Sequence, residues 1–225
     1  MRKLFFLLIS IVSFSKTNSQ DISSLPVVSY PVQRYDGQKP LVVYLSGDGG
    51  ENSFSKSFMQ QINSKGLPAV LFNSQKYFWS KKTPQQTAAD VEKVVQFYRN
   101  QWKARKVIII GYSFGADVTP FIVTRLSKDL NASLTNIVLM SPSNTTDFEV
   151  HVSGLFGKGT TNGSNIPAEI NKIAQKPVLI LQGEDESEKM DAKALKVNYK
   201  LLTLKGGHRY NSNTSDVVNT IFSNL

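Results

Sequence analysis

The sequence predicts a three-layer α/β sandwich around a mostly parallel sheet. Three observations carry that expectation. Short apolar runs recur without the polar alternation of a half-exposed strand, helical periodicity separates them, and no internal repeat or low-complexity tract interrupts the order.

The runs are LVVYLS (41–46), AVLFN (69–73), KVIIIG (106–111), NIVLMS (136–141) and PVLILQ (177–182), with YKLLTL (199–204) as a last strand before a Gly-Gly pair. Strands covered on both faces read this way. Between the second and third runs, Ala88, Val91, Val95, Tyr98 and Trp102 recur at steps of three and four, which places them on one helical face. Thr83 and Pro84 supply a cap and a first-turn residue for that helix. A second helix is expected from Ser113 to about Leu126. Residues 142–176 break the rhythm as a small insertion before the acid-bearing strand. It holds an extra strand, a Gly-rich loop and a short helix from Pro167.

The first 19 residues stand apart. Arg2 and Lys3 precede an apolar run from Leu4 to Phe14, followed by small polar residues up to Ser19. This is the pattern of a secretory signal peptide, and the run is shorter than the roughly 20 residues a membrane span needs. Residues 20–225 are then one exported domain. With no cysteine there is neither a disulfide nor a lipoprotein anchor, and two histidines without cysteine do not build the usual zinc sites. The net charge is +9, and +6 once Arg2, Lys3 and Lys16 are removed. Such an excess could attract an anionic membrane, but without a dense basic run it reads first as a soluble surface with many exposed lysines, and no nucleic-acid partner is predicted. Sequons at Asn131, Asn144, Asn162 and Asn213 matter only in a host that glycosylates exported proteins.

Gly111-Tyr112-Ser113-Phe114-Gly115 follows a buried strand and opens a helix, the context in which G-x-S-x-G presents a serine nucleophile. The helix points its N-terminal dipole at Ser113, and the Phe114 amide is one oxyanion donor. Serine at its ordinary pKa needs a base. His208, in LKGGHRY beyond the last strand, stands where an α/β-hydrolase-type sandwich carries it. His151, in the insertion, is read as structural or as a substrate contact. The acid comes from GEDESEKM: Asp185 and Glu186 both qualify, and Asp147 is an outlying candidate.

Gly47, Asp48, Gly49 and Gly50 form the loop after the first core strand. Their glycines let the backbone approach the substrate, and the Asp48 amide is the second oxyanion donor. No Gly-Lys-Ser/Thr follows, so this is not a phosphate loop, and no cofactor is expected. Asp48 and Asp117 could meet a cationic substrate group, with helix capping or dipole pairing as their other reading. Tyr77, Phe78 and Trp79 could line an acyl or lipid wall, with core packing as theirs.

LSGDGG, KYFWSKKTP, IIIGYSFGADVTP, FEVHVSG, PAEI and LKGGHRY together resemble the bacterial virulence VirJ/AcvB domain, from about Leu41 to Tyr210. The resemblance implies a periplasmic serine hydrolase with Ser113 as nucleophile and His208 as base. It also implies hydrolysis of aminoacylated phosphatidylglycerol, above all its lysyl ester. Glu51 stands where that family pattern has tryptophan, and the run of acids with a cysteine is shortened around GEDESEKM. A non-catalytic secretion-accessory protein and a general exported carboxylesterase are the competing expectations.

Overall fold

The computed structural model describes residues 21–150 and 163–225. Its sheet comprises β1 (Val27–Tyr30), β2 (Leu41–Leu45), β3 (Ala69–Phe72), β4 (Val107–Tyr112), β5 (Leu134–Met140), β8 (Val178–Gly183) and β9 (Tyr199–Leu204), in the spatial order β1-β3-β2-β4-β5-β8-β9. Only β1 runs antiparallel, paired to β3. Its neighbours pair in parallel, with Val42 opposite Ile108, Ile109 opposite Ile137 and Ile180 opposite Leu201. The three-layer expectation holds, and the apolar runs behave as their lack of alternation predicts. Leu41, Val43, Leu45, Ile109, Ile137 and Ile180 enter one core, while Val42, Tyr44, Ile108, Ile110, Val138 and Leu181 enter the other.

The second core lies under α1 (Ser53–Ser64) and α7 (Thr214–Phe222), which pack together. Phe54, Phe58, Met59 and Ile62 form the buried face of α1, and the Asn52 side chain caps it by accepting from the Ser55 amide at 3.0 Å. The first core lies under α3 (Pro84–Trp102), α4 (Phe114–Val123) and α6 (Ile166–Ile170). At the start of α3, Thr83 accepts from the Gln86 amide while Gln86 accepts from the Thr83 amide, so two otherwise orphaned donors are satisfied. α2 (Ser74–Tyr77) and α5 (Lys128–Ser133) are short connecting helices.

The helix expected from Ser113 to Leu126 ends at Val123. In the insertion, β6 (Thr145–Thr146) pairs antiparallel with β7 (Ser164–Asn165), closing its base. α6 begins one residue before Pro167, capped by Asn165. Its buried Glu169 accepts from Thr124, Arg125 and Lys172, which pins the insertion's end to the end of α4. The expected signal segment, His151 and most of the Gly-rich loop lie outside the described residues. No helix among the described residues is long and apolar enough to cross a membrane.

Candidate active site

The C-terminal ends of β2, β4, β5 and β8 and the loop after β9 converge on Ser113. This residue is at φ 52° and ψ −123°, a conformation L side chains rarely adopt. Its neighbours impose that turn. A Cβ on Gly115 would lie 2.2 Å from the Leu45 carbonyl oxygen, and one on Gly111 would lie 2.4 Å from the Gly115 carbonyl oxygen. Strand and helix therefore approach more closely than any other residue permits. The Ser113 amide donates to the Met140 carbonyl at 2.8 Å, and the Asp117 amide donates to the Ser113 carbonyl at 3.0 Å. Phe114 opens α4, so its N–H is among the first-turn donors that lack an intrahelical acceptor.

The structure brings Ser113, His208 and Glu186 into one chain of contacts. Ser113 Oγ lies 2.8 Å from His208 Nε2, and His208 Nδ1 lies 2.5 Å from Glu186 Oε1. The Glu186 side chain is 6% exposed, whereas that of His208 is 47% exposed. Of the two carboxylates that the sequence leaves open, Asp185 and Glu186, the one placed against His208 is Glu186. After β8 the chain turns at once, with Glu186 N–H donating to the Gly183 carbonyl and Glu186 Oε2 accepting from the Gly183 amide. That turn folds the Glu186 side chain inward. Asp185 donates its amide to Gly206 and its side chain faces solvent. Asp147, the outlying candidate, lies just past β6 and accepts from the Glu149 amide; the partner of His208 Nδ1 is Glu186.

The loop after β2 packs directly on the turn at Ser113. A Cβ on Gly47 would stand 3.2 Å from Ser113 Cβ, so this glycine permits the approach. The Gly50 amide closes the turn onto the Gly47 carbonyl at 3.0 Å, with Asp48 and Gly49 between them, half-buried. The other expected substrate contacts divide. Asp117 is buried, and its Oδ1 accepts from the Ser143 amide at 2.7 Å; it is a tether between α4 and the loop after β5 rather than an open carboxylate. Burial raises it to about 7, against the pull of the Ser143 hydrogen bonds and of His208. Tyr77 and Phe78 are core residues. Tyr77 donates to Asp90 at 2.7 Å, and Phe78 stacks edge-on to Phe114 with ring centroids 5.0 Å apart. Burial raises the Tyr77 phenol further, aided by Asp90. Trp79 is 64% exposed.

Three contributors escaped the sequence reading. Ser141 Oγ lies 3.1 Å from Glu186 Oε2, Tyr210 OH lies 2.7 Å from Ser141 Oγ, and Tyr112 OH donates to the His208 carbonyl at 3.1 Å. Only their positions one residue past β5, two past His208 and one before Ser113 could have drawn notice. No group of His, Asp or Glu among the described residues is arranged to hold a metal ion.

A mostly parallel sheet with helices on both faces, a strained serine after a central strand and a histidine after the last strand define an α/β hydrolase in fold. The chain belongs to the VirJ family, described as bacterial virulence protein (VirJ), whose profile matches residues 39–225. No curated protein matches it. Among solved structures it is similar to Est1E from Butyrivibrio proteoclasticus with ferulic acid bound, at 15% identity and a TM-score of 0.63, covering 91% of this chain and 96% of that one. A hydrolase from Oleispira antarctica is similar at 14% identity and a TM-score of 0.63, covering 96% of this chain and 100% of that one. MenH from S. aureus is similar at 12% identity and a TM-score of 0.62, covering 88% and 96% respectively.

Proposed function

We propose that the protein is an exported serine hydrolase that cleaves a carboxylic ester through an acyl-enzyme. The observation that carries this reading is the unbroken chain Ser113 Oγ, His208 Nε2, His208 Nδ1, Glu186 Oε1, at 2.8 and 2.5 Å. His208 takes the Ser113 proton as the oxygen attacks the ester carbonyl, and Glu186 holds the ring's tautomer and stabilises its cation. The Asp48 and Phe114 amides receive the oxyanion. His208 returns the proton to the leaving alcohol, then activates the water that releases the acyl group. The esterases and hydrolases among the structural neighbours support the same class.

The substrate we favour is the aminoacyl ester of an anionic phospholipid, lysyl-phosphatidylglycerol above all, as the family resemblance implies. Asp48, half-buried beside the nucleophile loop, is the carboxylate available to an aminoacyl ammonium, since Asp117 is engaged by Ser143. The net positive charge favours encounter with the anionic lipid surface of a periplasmic membrane, and exposed Trp79 would meet its lipid side.

A fluorophosphonate probe on the purified mature protein tests the chemistry. Labelling should vanish in Ser113→Ala and weaken in His208→Ala. A folded wild type that does not label would favour an accessory protein that keeps the elbow as architecture. Equal turnover of lysyl-phosphatidylglycerol and short neutral esters, unchanged by Asp48→Asn, would reduce the reading to a general carboxylesterase. The mature N-terminus, read by mass spectrometry of the exported protein, tests removal of residues 1–19.

A further inference from the structure

We infer that Ser141, backed by the Tyr210 phenol, is a positioning residue for the acid of this site: its hydroxyl occupies Glu186 Oε2 so that Oε1 is left to His208. This rests on the hydrolase reading above and assigns a role to residues on two separate elements.

The argument is one of proton supply. Ser141 and Tyr210 are 3% and 2% exposed, so their hydroxyls must find partners inside the protein. The phenol has one proton and two acceptors in reach, Ser141 Oγ at 2.7 Å and the Leu181 carbonyl at 3.2 Å. That carbonyl already accepts the Ser141 amide at 2.7 Å, so the nearer hydroxyl is the better destination. With the phenol as donor in their 2.7 Å contact, Ser141 has one proton and two remaining acceptors, Glu186 Oε2 at 3.1 Å and the His208 carbonyl at 3.5 Å. A carboxylate is the stronger acceptor. The protons then run from Tyr210 to Ser141 to Glu186. With the Gly183 amide at 3.0 Å, Oε2 receives two donors and Oε1 receives the imidazole. Burial and the Glu186 charge push the Tyr210 phenol well above its ordinary value, so the chain's source keeps its proton.

The backbone is arranged for this as well. Ser141 stands at φ 50° and Tyr210 at φ 50°, left-handed positions that favour glycine, yet both carry side chains that reach the acid. Ser141 also follows Met140, whose carbonyl holds the Ser113 amide. Adjacent residues at the end of β5 thus hold the nucleophile and the acid. Among the described residues, Tyr112 faces Glu186 and Asp117 faces His208, with Arg209 and Asp48 acting on Tyr112, and all stay in place in the variants below.

The test compares Ser141→Ala, Tyr210→Phe and the double variant in p-nitrophenyl acetate hydrolysis across pH, with the His208 ring titration followed by NMR. Two histidines make assignment by His208→Ala direct. Ser141→Ala should lower kcat about tenfold with KM changed less than about twofold, as expected for a group that acts through the catalytic residues. Loss of the donor leaves more negative charge on the carboxylate facing the imidazolium. The acid limb of the rate profile and the His208 titration should therefore both move to higher pH, which a loss of packing alone would not produce. Tyr210→Phe should move them the same way but less, and the double variant should match Ser141→Ala because Tyr210 acts only through Ser141.

Unchanged kcat and titration in Ser141→Ala, or multiplicative effects in the double variant, would overturn the inference. If Ser141→Ala does not fold, an unmoved titration in Tyr210→Phe overturns it equally. The two readings also fail separately. A wild type inert to fluorophosphonate sinks the hydrolase reading, while the NMR titration still reports on the hold of Ser141 upon Glu186 and His208.

Discussion

The Ser113 amide donates to the Met140 carbonyl at 2.8 Å, so the elbow is anchored to the end of the neighbouring strand β5. This bond crosses the parallel β4–β5 pair just beyond its last matched residues, Tyr112 and Met140. The position of Ser113 is thereby inherited from the sheet.

The first prediction concerns the acid. Glu186→Gln places an amide where His208 Nδ1 needs an acceptor, which favours the wrong tautomer. Activity should fall by about 10⁴-fold at neutral pH, as for the equivalent change in a serine triad. Asp185→Asn, at a solvent-facing carboxylate, should change kcat by less than about twofold. Comparing kcat/KM for the two variants separates them, and a larger loss in Asp185→Asn would return the acid to its neighbour.

The second concerns the elbow's architecture. An alanine Cβ at position 115 would meet the Leu45 and Ser46 carbonyl oxygens at 2.2 and 2.6 Å, both backbone atoms in the sheet and its exit loop. Gly115→Ala should cost about 3 kcal/mol or prevent folding. At Gly207 the nearest atom to a new Cβ is 3.8 Å away, so Gly207→Ala should stay within about 0.5 kcal/mol of wild type. Urea denaturation measures both.

The third is a pH dependence set by Asp117. Burial lifts its pKa from 3.8 to about 7 in the folded protein, so between those values the native state binds a proton that the unfolded chain releases. Stability from this group is therefore fully present at low pH, declines as pH rises from about 4 to about 7, and is flat beyond. Asp117→Asn keeps an oxygen for the Ser143 amide without the charge. It should remove that decline and be more stable than wild type at pH 8. Thermal melts at a series of pH values decide it, and parallel curves for the two proteins would contradict this assignment.

The fold was legible wherever strands were buried on both faces, because an unbroken apolar run at β4 or β8 has few other structural uses. β1 was not legible: it is a four-residue edge strand with only part-buried or exposed positions, and its pairing with β3 is long-range. At the site, Ser113 and His208 could be read because each is flagged by its own local strand and turn. Which carboxylate faces His208 could not be read, because the choice between Asp185 and Glu186 depends on how one tight turn after Gly183 directs two adjacent side chains. Tyr77 and Phe78 pack into the core rather than line a substrate wall, since aromatic content alone does not say which way a short helix and the residue after it face. Ser141 and Tyr210 meet across 69 positions of sequence, a relation no local pattern encodes.

The last prediction separates catalysis from stability at the Gly47 loop. A Cβ on Gly47 would stand 3.2 Å from Ser113 Cβ, 3.4 Å from the Tyr112 carbonyl oxygen and 3.5 Å from the Tyr112 ring. These contacts are tight but not prohibitive, so Gly47→Ala should fold with a loss of about 1 kcal/mol. The loop relieves the contact by moving away from the elbow, and the Asp48 amide moves with it. An oxyanion donor works only at hydrogen-bond distance from the developing charge, and losing one costs about 10²–10³-fold in kcat. Gly47→Ala should therefore lose about 10²-fold or more in kcat with fluorophosphonate labelling slowed in parallel, although its melting curve stays close to wild type. Equal losses in activity and stability would mean that Gly47 serves the fold alone, and the second donor would have to be sought elsewhere.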